Sequence, residues 1–175
     1  MADKRCFFVV GPEGSGTYMM AEWLSAGGCK YIPEEESLKE ILKNEEEKNV
    51  VIRRSLPHRN KWIDIAKIGR SINFGTDYDV IFIGIIRDQF ATVSSIQNRS
   101  FDITDYDVLL LSNRRSAIAQ MSGIILDFSG EIITYESMVN NEEFRRRLWA
   151  HLDLEWHDYP DDYQFYDGNR KYYDE

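Results

Sequence analysis

Apolar residues in this chain alternate between short continuous runs and runs with helical spacing. Continuous runs rich in β-branched residues predict strands over 5–10, 49–53, 80–86 and 131–135. The remaining pattern predicts helices over 17–26, 34–48, 61–70, 106–128 and 142–152, and a further helix that follows the strand 80–86 and runs to residue 98. The run at 80–86 is nearly all apolar, which is typical of a central parallel strand covered on both faces.

The order of these elements predicts the architecture. Strands that alternate with helices are typical of a parallel sheet with helices on both faces, so the predicted fold class is α/β: a three-layer sandwich with a central parallel sheet. The 175 residues are expected to form one domain, 1–175. The tail from residue 153, rich in Tyr and Asp, has no clear period and is predicted to be irregular.

The first predicted strand leads into a glycine-rich loop, Gly11–Thr17, and then directly into a helix. Gly11 and Gly16 have the spacing of the two glycines of a P-loop, but Thr17 occupies the position of the P-loop lysine. Glycines in such a loop allow backbone N–H groups to converge on an anion at the start of the helix. The sequence therefore predicts a P-loop-like phosphate-binding loop without the lysine that NTPases use.

A second phosphate-holding group is predicted at the end of the strand 80–86. Arg87 leaves this strand, and Ser95 lies eight residues further along, in the next predicted helix. Arg offers a forked, permanently charged donor, and a hydroxyl about two helical turns away can meet the same phosphate from another side. Because ligands of parallel α/β folds bind at the carboxyl ends of the strands, the two groups predict a nucleotide with phosphates at two separate places.

Four segments, in order along the chain, resemble the sulfotransferases that use 3′-phosphoadenosine 5′-phosphosulfate (PAPS). They are the loop with Ser15-Gly16-Thr17, the segment 51–57 that resembles a strand ending in Lys-Thr-His-Leu-Pro, the pair Arg87 and Ser95, and the strand end Ile133-Thr134-Tyr135-Glu136-Ser137-Met138. The resemblance covers roughly residues 6–152. It implies PAPS as the donor, 3′-phosphoadenosine 5′-phosphate (PAP) as the product, an unknown acceptor, and no metal.

The resemblance also implies a role for each matching residue. The residues expected to bind the nucleotide are Gly14, Ser15, Gly16, Thr17, Arg87, Ser95 and Tyr135. Within this set, Arg87 and Ser95 hold the 3′-phosphate, and Tyr135 lies beside the adenine. Two catalytic residues are expected at the end of the strand 49–53. Arg53, at the position of the family's Lys, would neutralise the leaving phosphate. His58 does not match the family's catalytic His position but lies three residues beyond it, and it would remove the acceptor's proton in its place, since an ordinary histidine with a pKa near ~6.5 is basic around neutral pH.

Two departures from the family's pattern leave other functions open. Gly14 stands where the family usually has Lys or Arg, and Ser55 stands where its catalytic His lies. One alternative is therefore a non-catalytic nucleotide-binding relative. The other is a P-loop nucleotide kinase or another NTPase, in which Asp88 would bind Mg²⁺, although the loop contains no Lys.

Composition narrows the expected partners. A net charge of −9 argues against a general nucleic-acid binder, although the basic residues between Arg53 and Arg70 can attract a small anion locally. The chain shows no signal-peptide pattern and no apolar stretch of transmembrane length, and two cysteines, Cys6 and Cys29, fit a reducing compartment. A cytoplasmic protein without a membrane or metal partner is expected, and the oligomeric state is left open.

Overall fold

A computed structural model of the chain describes residues 4–33, 38–57, 61–97 and 106–156 together with Asn169. The strands are β1 (Lys4–Pro12), β2 (Lys30–Tyr31), β3 (Asn49–Leu56), β4 (Tyr78–Ile86) and β5 (Gly130–Thr134). The helices are α1 (Thr17–Ala26), α2 (Leu38–Lys43), α3 (Ile65–Gly75), α4 (Gln89–Gln97), α5 (Tyr106–Asp127), α6 (Tyr135–Asn140) and α7 (Glu142–His151).

The five strands of the described residues form one parallel sheet in the order β2-β3-β1-β4-β5. β1 lies at its centre, between β3 and β4. The register pairs Gly11, at the end of β1, with Ser55, at the end of β3. Because all strands run the same way, the glycine loop, the end of β3 and the end of β4 open at the same edge of the sheet.

Two apolar clusters cover the two faces of this sheet, and alternate residues of β1 belong to different clusters. Phe7 and Val9 pack with buried side chains of α1, α6 and α7. Cys6, Phe8 and Val10 pack with buried side chains of α2, α3 and α5. The predicted α/β architecture, with a central parallel sheet between two helical layers, is confirmed.

Some boundaries differ from the predicted ones for local physical reasons. β3 continues past residue 53 to Leu56, because its last residues still pair with the end of β1. α3 begins at Ile65 rather than at residue 61, because the Asp64 side chain accepts a hydrogen bond from the backbone N of Lys67 at 2.8 Å and caps the helix. β4 begins at Tyr78, two residues before the predicted start of its apolar run.

The hydrophobic pattern misses two short elements. β2 has two residues and pairs only with β3. α6 begins at Tyr135, which the pattern assigns to the preceding strand, because the Thr134 side chain accepts a hydrogen bond from the backbone N of Ser137 and starts a helix there. The predicted helix 34–48 is shorter, since α2 ends at Lys43, and residues 34–37 lie outside the described residues.

Candidate nucleotide-binding site

The loop between β1 and α1 has the backbone that a phosphate-binding loop requires. Gly14 and Gly16 have φ angles of 79° and 100°, in the left-handed region that glycine adopts at little cost. Gly16 directly precedes α1, and no described side chain caps this end of the helix. The N–H groups at an uncapped helix start, together with the helix dipole, form a binding position for an anion.

Ser15, within this loop, is completely buried, and its hydroxyl has no hydrogen-bond partner within the part of the chain that the structure describes. The packing here is tight: a Cβ on Gly11 would lie 2.4 Å from both Ser15 Oγ and the carbonyl oxygen of Ile85. A buried hydroxyl left unsatisfied costs roughly 1–3 kcal/mol. A bound anion or water at the loop would satisfy it, so this orphaned donor fits a phosphate site.

Arg87 joins the glycine loop to the end of β4. Its Nη1 donates a hydrogen bond to the carbonyl oxygen of Gly14 at 3.1 Å, and its Nε donates one to Asn169 Oδ1 at 2.6 Å. The guanidinium lies 4.4 Å from the ring centroid of Tyr135. Both acceptors are neutral carbonyl oxygens, and together these two bonds fix the direction of the guanidinium.

The first two residues of α6 complete this cluster. The Tyr135 ring packs against the loop so closely that a Cβ on Gly16 would lie 2.6 Å from its Cδ2. Glu136 Oε1 accepts hydrogen bonds from the backbone N of Asp88 at 2.9 Å and from Asn169 Nδ2 at 2.8 Å. The predicted residues Arg87 and Tyr135 are thus brought together at the loop, and Glu136 joins them through the tail residue Asn169.

α4 packs against another side of the glycine loop. A Cβ on Gly14 would lie 3.2 Å from the carbonyl oxygen of Thr92 and 3.3 Å from Ile96 Cγ1. This contact and the positive φ both disfavour a side chain at position 14. Ser95 lies on α4 as well, buried and one turn beyond Thr92.

α5 adds a cation that the sequence pattern did not single out. Arg114 Nη2 donates a hydrogen bond to the backbone carbonyl of Arg87 at 2.9 Å, while its Nε is buried without a hydrogen-bond partner among the described residues. In the sequence, Arg114 is one of several charged residues on a long helix. Its place beside the end of β4 follows only from how α5 packs on the sheet.

β3 ends beside the loop, as predicted. Its two arginines, Arg53 and Arg54, are consecutive residues of the strand, so their side chains leave it on opposite faces of the sheet. Arg53 pairs in register with Val9, on the α1 face. Its Nε donates to the Tyr31 hydroxyl at 3.0 Å, and its guanidinium lies 5.2 Å from the ring centroid of Tyr18. Arg54 is buried on the other face. The predicted base His58 lies outside the described residues.

Tyr18, in the first turn of α1, has a pKa above its usual value. The cause is its hydrogen bond to the Glu22 side chain, which outweighs the opposite effect of the nearby Arg53 charge. Tyr18 is exposed. A raised pKa keeps this exposed phenol neutral around neutral pH.

Among the described residues, no group of three or more His, Cys, Asp or Glu side chains is placed to hold a metal ion. Likewise, none of the helices in the described ranges is both long and apolar enough to cross a bilayer.

Both cysteines are buried, and burial raises the pKa of the Cys29 thiol to about 12 and that of Cys6 well above its usual range.

Comparison with solved structures shows a P-loop-like fold. Mouse sulfotransferase SULT7A1 complexed with PAP is similar with a TM-score of 0.56 and 14% identity over 90% of this chain and 62% of that chain. An unliganded sugar kinase from Janibacter is similar with a TM-score of 0.54 and 14% identity over 86% of this chain and 95% of that chain. No protein-family model and no curated protein matches the sequence. At this identity the likeness shows the fold alone, one shared by a sulfotransferase and a kinase.

Proposed function

We propose that this protein binds PAPS with the loop Gly11–Thr17 and Arg87, and transfers its sulfuryl group to an acceptor. The observation that carries the proposal is the hydrogen bond from Arg87 to the carbonyl oxygen of Gly14. The bond supports the proposal because it holds a forked cation against the glycine loop. A nucleotide with phosphates on both its 5′ and 3′ positions would engage the loop and the arginine together, whereas ADP would engage only one of them.

The loop argues against phosphoryl transfer from ATP. P-loop NTPases use a lysine to neutralise the transferring phosphoryl group and a carboxylate to hold Mg²⁺. Thr17 occupies the lysine position. Asp88, the candidate carboxylate, accepts a hydrogen bond from the backbone N of Ala91 at 2.9 Å and so caps the start of α4. A kinase still has support from the fold's likeness to a sugar kinase, so ATP with Mg²⁺ belongs in the test.

Sulfuryl transfer requires that the donor is positioned, that the leaving phosphate is neutralised, and that the acceptor loses a proton. The acceptor oxygen or nitrogen attacks sulfur, the bond from sulfur to the phosphate oxygen breaks, and PAP leaves. The glycine loop would position the donor. Arg53, oriented by Tyr31 and Tyr18 beside the first turn of α1, would neutralise the leaving phosphate. His58, three residues after Ser55, would take the proton.

Titration calorimetry with four ligands tests the proposal: PAP, ADP, ATP, and ATP with Mg²⁺. PAP is expected to bind without Mg²⁺ and more tightly than ADP. Stronger binding of ATP than of PAP, with a requirement for Mg²⁺, would favour the kinase. PAP binding without transfer of radiolabelled sulfate from PAPS to any of a panel of glycans, phenols and peptides would favour a non-catalytic nucleotide binder.

A further inference from the structure

We infer that Asn169, held by Glu136, is a positioning residue that sets the orientation of Arg87 for the second phosphate of the nucleotide. The inference rests on the proposed function, because it concerns the same site. It assigns a role to Asn169, which no motif in the sequence marks, and to Glu136, which lies in the resembling segment 133–138 but has no assigned role there.

Both ends of the Asn169 side chain are used, and their orientation is determined by chemistry. A carboxylate can only accept hydrogen bonds, so the Asn169 amide nitrogen must face Glu136, at 2.8 Å from Oε1. Its amide oxygen then faces Arg87 and accepts from Nε at 2.6 Å. Asn169 is 5% exposed. A buried amide that is bonded at both its nitrogen and its oxygen holds its partner in one direction.

Arg87 is consequently anchored from three sides. Asn169 holds Nε, the Gly14 carbonyl holds Nη1, and the Tyr135 ring lies beneath the guanidinium plane. A planar guanidinium gives directional, two-pronged binding to phosphate only when its plane is set before the ligand arrives. These three contacts set that plane and tie it to the phosphate loop.

The neutral amide also separates two opposite charges. Glu136 is linked to Arg87 by two hydrogen bonds, with Asn169 between them. Glu136 is itself held by the backbone N of Asp88. Direct pairing of Glu136 with Arg87 would neutralise the guanidinium and weaken its attraction for phosphate. Through Asn169, the carboxylate transmits orientation to the guanidinium across a neutral amide.

This arrangement predicts a specific failure when Asn169 is removed. In Asn169→Ala, Glu136 and Arg87 become free to form a direct ion pair, so affinity for PAP should fall roughly tenfold, the scale of one charge-assisted hydrogen bond. Affinity for ADP should change less than about twofold, since ADP does not use the second phosphate position. Adding Glu136→Gln to Asn169→Ala removes the competing carboxylate and should restore most of the lost PAP affinity.

Calorimetry with PAP and ADP on the full chain measures these effects, with Asn44→Ala as an exposed asparagine control. Asn169→Ala should have no further effect on PAP in a chain that also carries Arg87→Ala. The second variant Asn169→Asp, nearly equal in size, should weaken PAP more than ADP because it places a carboxylate directly on Arg87. The unfolding midpoint of each variant confirms that the protein is folded.

Several results would overturn the inference. Tighter PAP binding by Asn169→Ala would mean that the tail residue occupies the phosphate position instead of preparing it. Equal losses for PAP and ADP, or no rescue by Glu136→Gln, would reduce Asn169 to a structural contact. If the unmodified protein does not bind PAP, the proposed function fails and the inference fails with it. Normal PAP binding by both the unmodified protein and Asn169→Ala would overturn the inference alone.

Discussion

At the scale of single residues, the physical reason that a side chain is disfavoured differs from one glycine to another. Gly14 and Gly16 combine positive φ angles with close neighbours, the α4 helix for one and the Tyr135 ring for the other. Gly28 has a positive φ of 90° but nothing within 4 Å of its added Cβ. Positions 14 and 16 therefore disfavour any side chain for two reasons, whereas position 28 disfavours it through its backbone alone.

Gly16→Ala should abolish measurable PAP binding in a protein that still folds. The new methyl group would meet the Tyr135 ring and displace it from the loop, and the left-handed backbone would be strained by about 1–3 kcal/mol. Gly28→Ala is the matched control, since it carries the same backbone strain in open space. Calorimetry should find normal PAP affinity in Gly28→Ala, and unchanged affinity in Gly16→Ala would mean that the loop is only a turn.

The residue scale also shows how far sequence reasoning reaches into the site. Sequence reasoning can find candidate site residues that sit in short motifs at strand ends. The structure brings four of these together: Gly14, Gly16, Arg87 and Tyr135. Asn169 cannot be chosen in this way, because it meets Arg87 across 82 positions of chain through a tail without any period. The roles assigned to these residues in binding remain predictions.

At the scale of elements, helix ends are predicted best where the stop signal is local. α1 ends at Ala26, as predicted, because Gly27 and Gly28 follow it. The predicted end of β3, residue 53, is wrong by three residues, because the strand continues to Leu56 through its pairing with the end of β1. Strand pairing is a tertiary contact, and a single sequence pattern does not contain it.

The two proposed catalytic residues, Arg53 and His58, lie at or just after the end of β3 in the sequence, and their substitutions should have different effects. Arg53→Ala should lower the transfer rate and weaken donor binding, because its guanidinium would face the leaving phosphate. His58→Ala should lower the rate by ~10²–10⁴-fold with nearly constant donor affinity, because a general base acts on the acceptor. Single-turnover transfer to an identified acceptor, measured beside donor affinity, separates the two. Normal transfer by His58→Ala would assign the base role to another residue.

The contact between α1 and α7 should tolerate no added volume. A Cβ on Gly27 would lie 1.8 Å from Cζ2 of Trp149, a buried ring that also packs on Trp23. Gly27→Ala should therefore destabilise the fold by about 1–3 kcal/mol or more, the range for overpacked cores. Urea unfolding measures this loss. PAP affinity measured well below the unfolding midpoint should stay normal, because this contact is not part of the phosphate site.

At the scale of the whole molecule, the parallel sheet determines what can meet at the site. The order β2-β3-β1-β4-β5 places β3 and β4 on either side of β1, so Arg53 and Arg87 flank one loop. Two cations therefore lie at one edge of the sheet in a chain whose net charge is −9. The alternation of strands and helices predicts the layers. The strand order follows from the folded chain, and the sequence pattern does not specify it.

The two thiols report on the integrity of both helical layers. Cys6 lies in one apolar cluster and Cys29 in the other, and burial raises the pKa of each because it disfavours the charged thiolate. Neither thiol should react quickly with Ellman's reagent in the native protein up to about pH 9, and both should react after unfolding in urea. Fast reaction of one thiol in the native state would show that its layer opens.

The claim that one nucleotide engages both the glycine loop and Arg87 is tested most directly by a single comparison of affinities. PAP and ADP are titrated without Mg²⁺ into the unmodified protein and into Arg87→Ala. The predicted result is that PAP binds more tightly than ADP to the unmodified protein, and that Arg87→Ala weakens PAP by ~1.5–3 kcal/mol while ADP is barely affected. Equal losses for the two nucleotides, or no preference for PAP at the start, would contradict the claim.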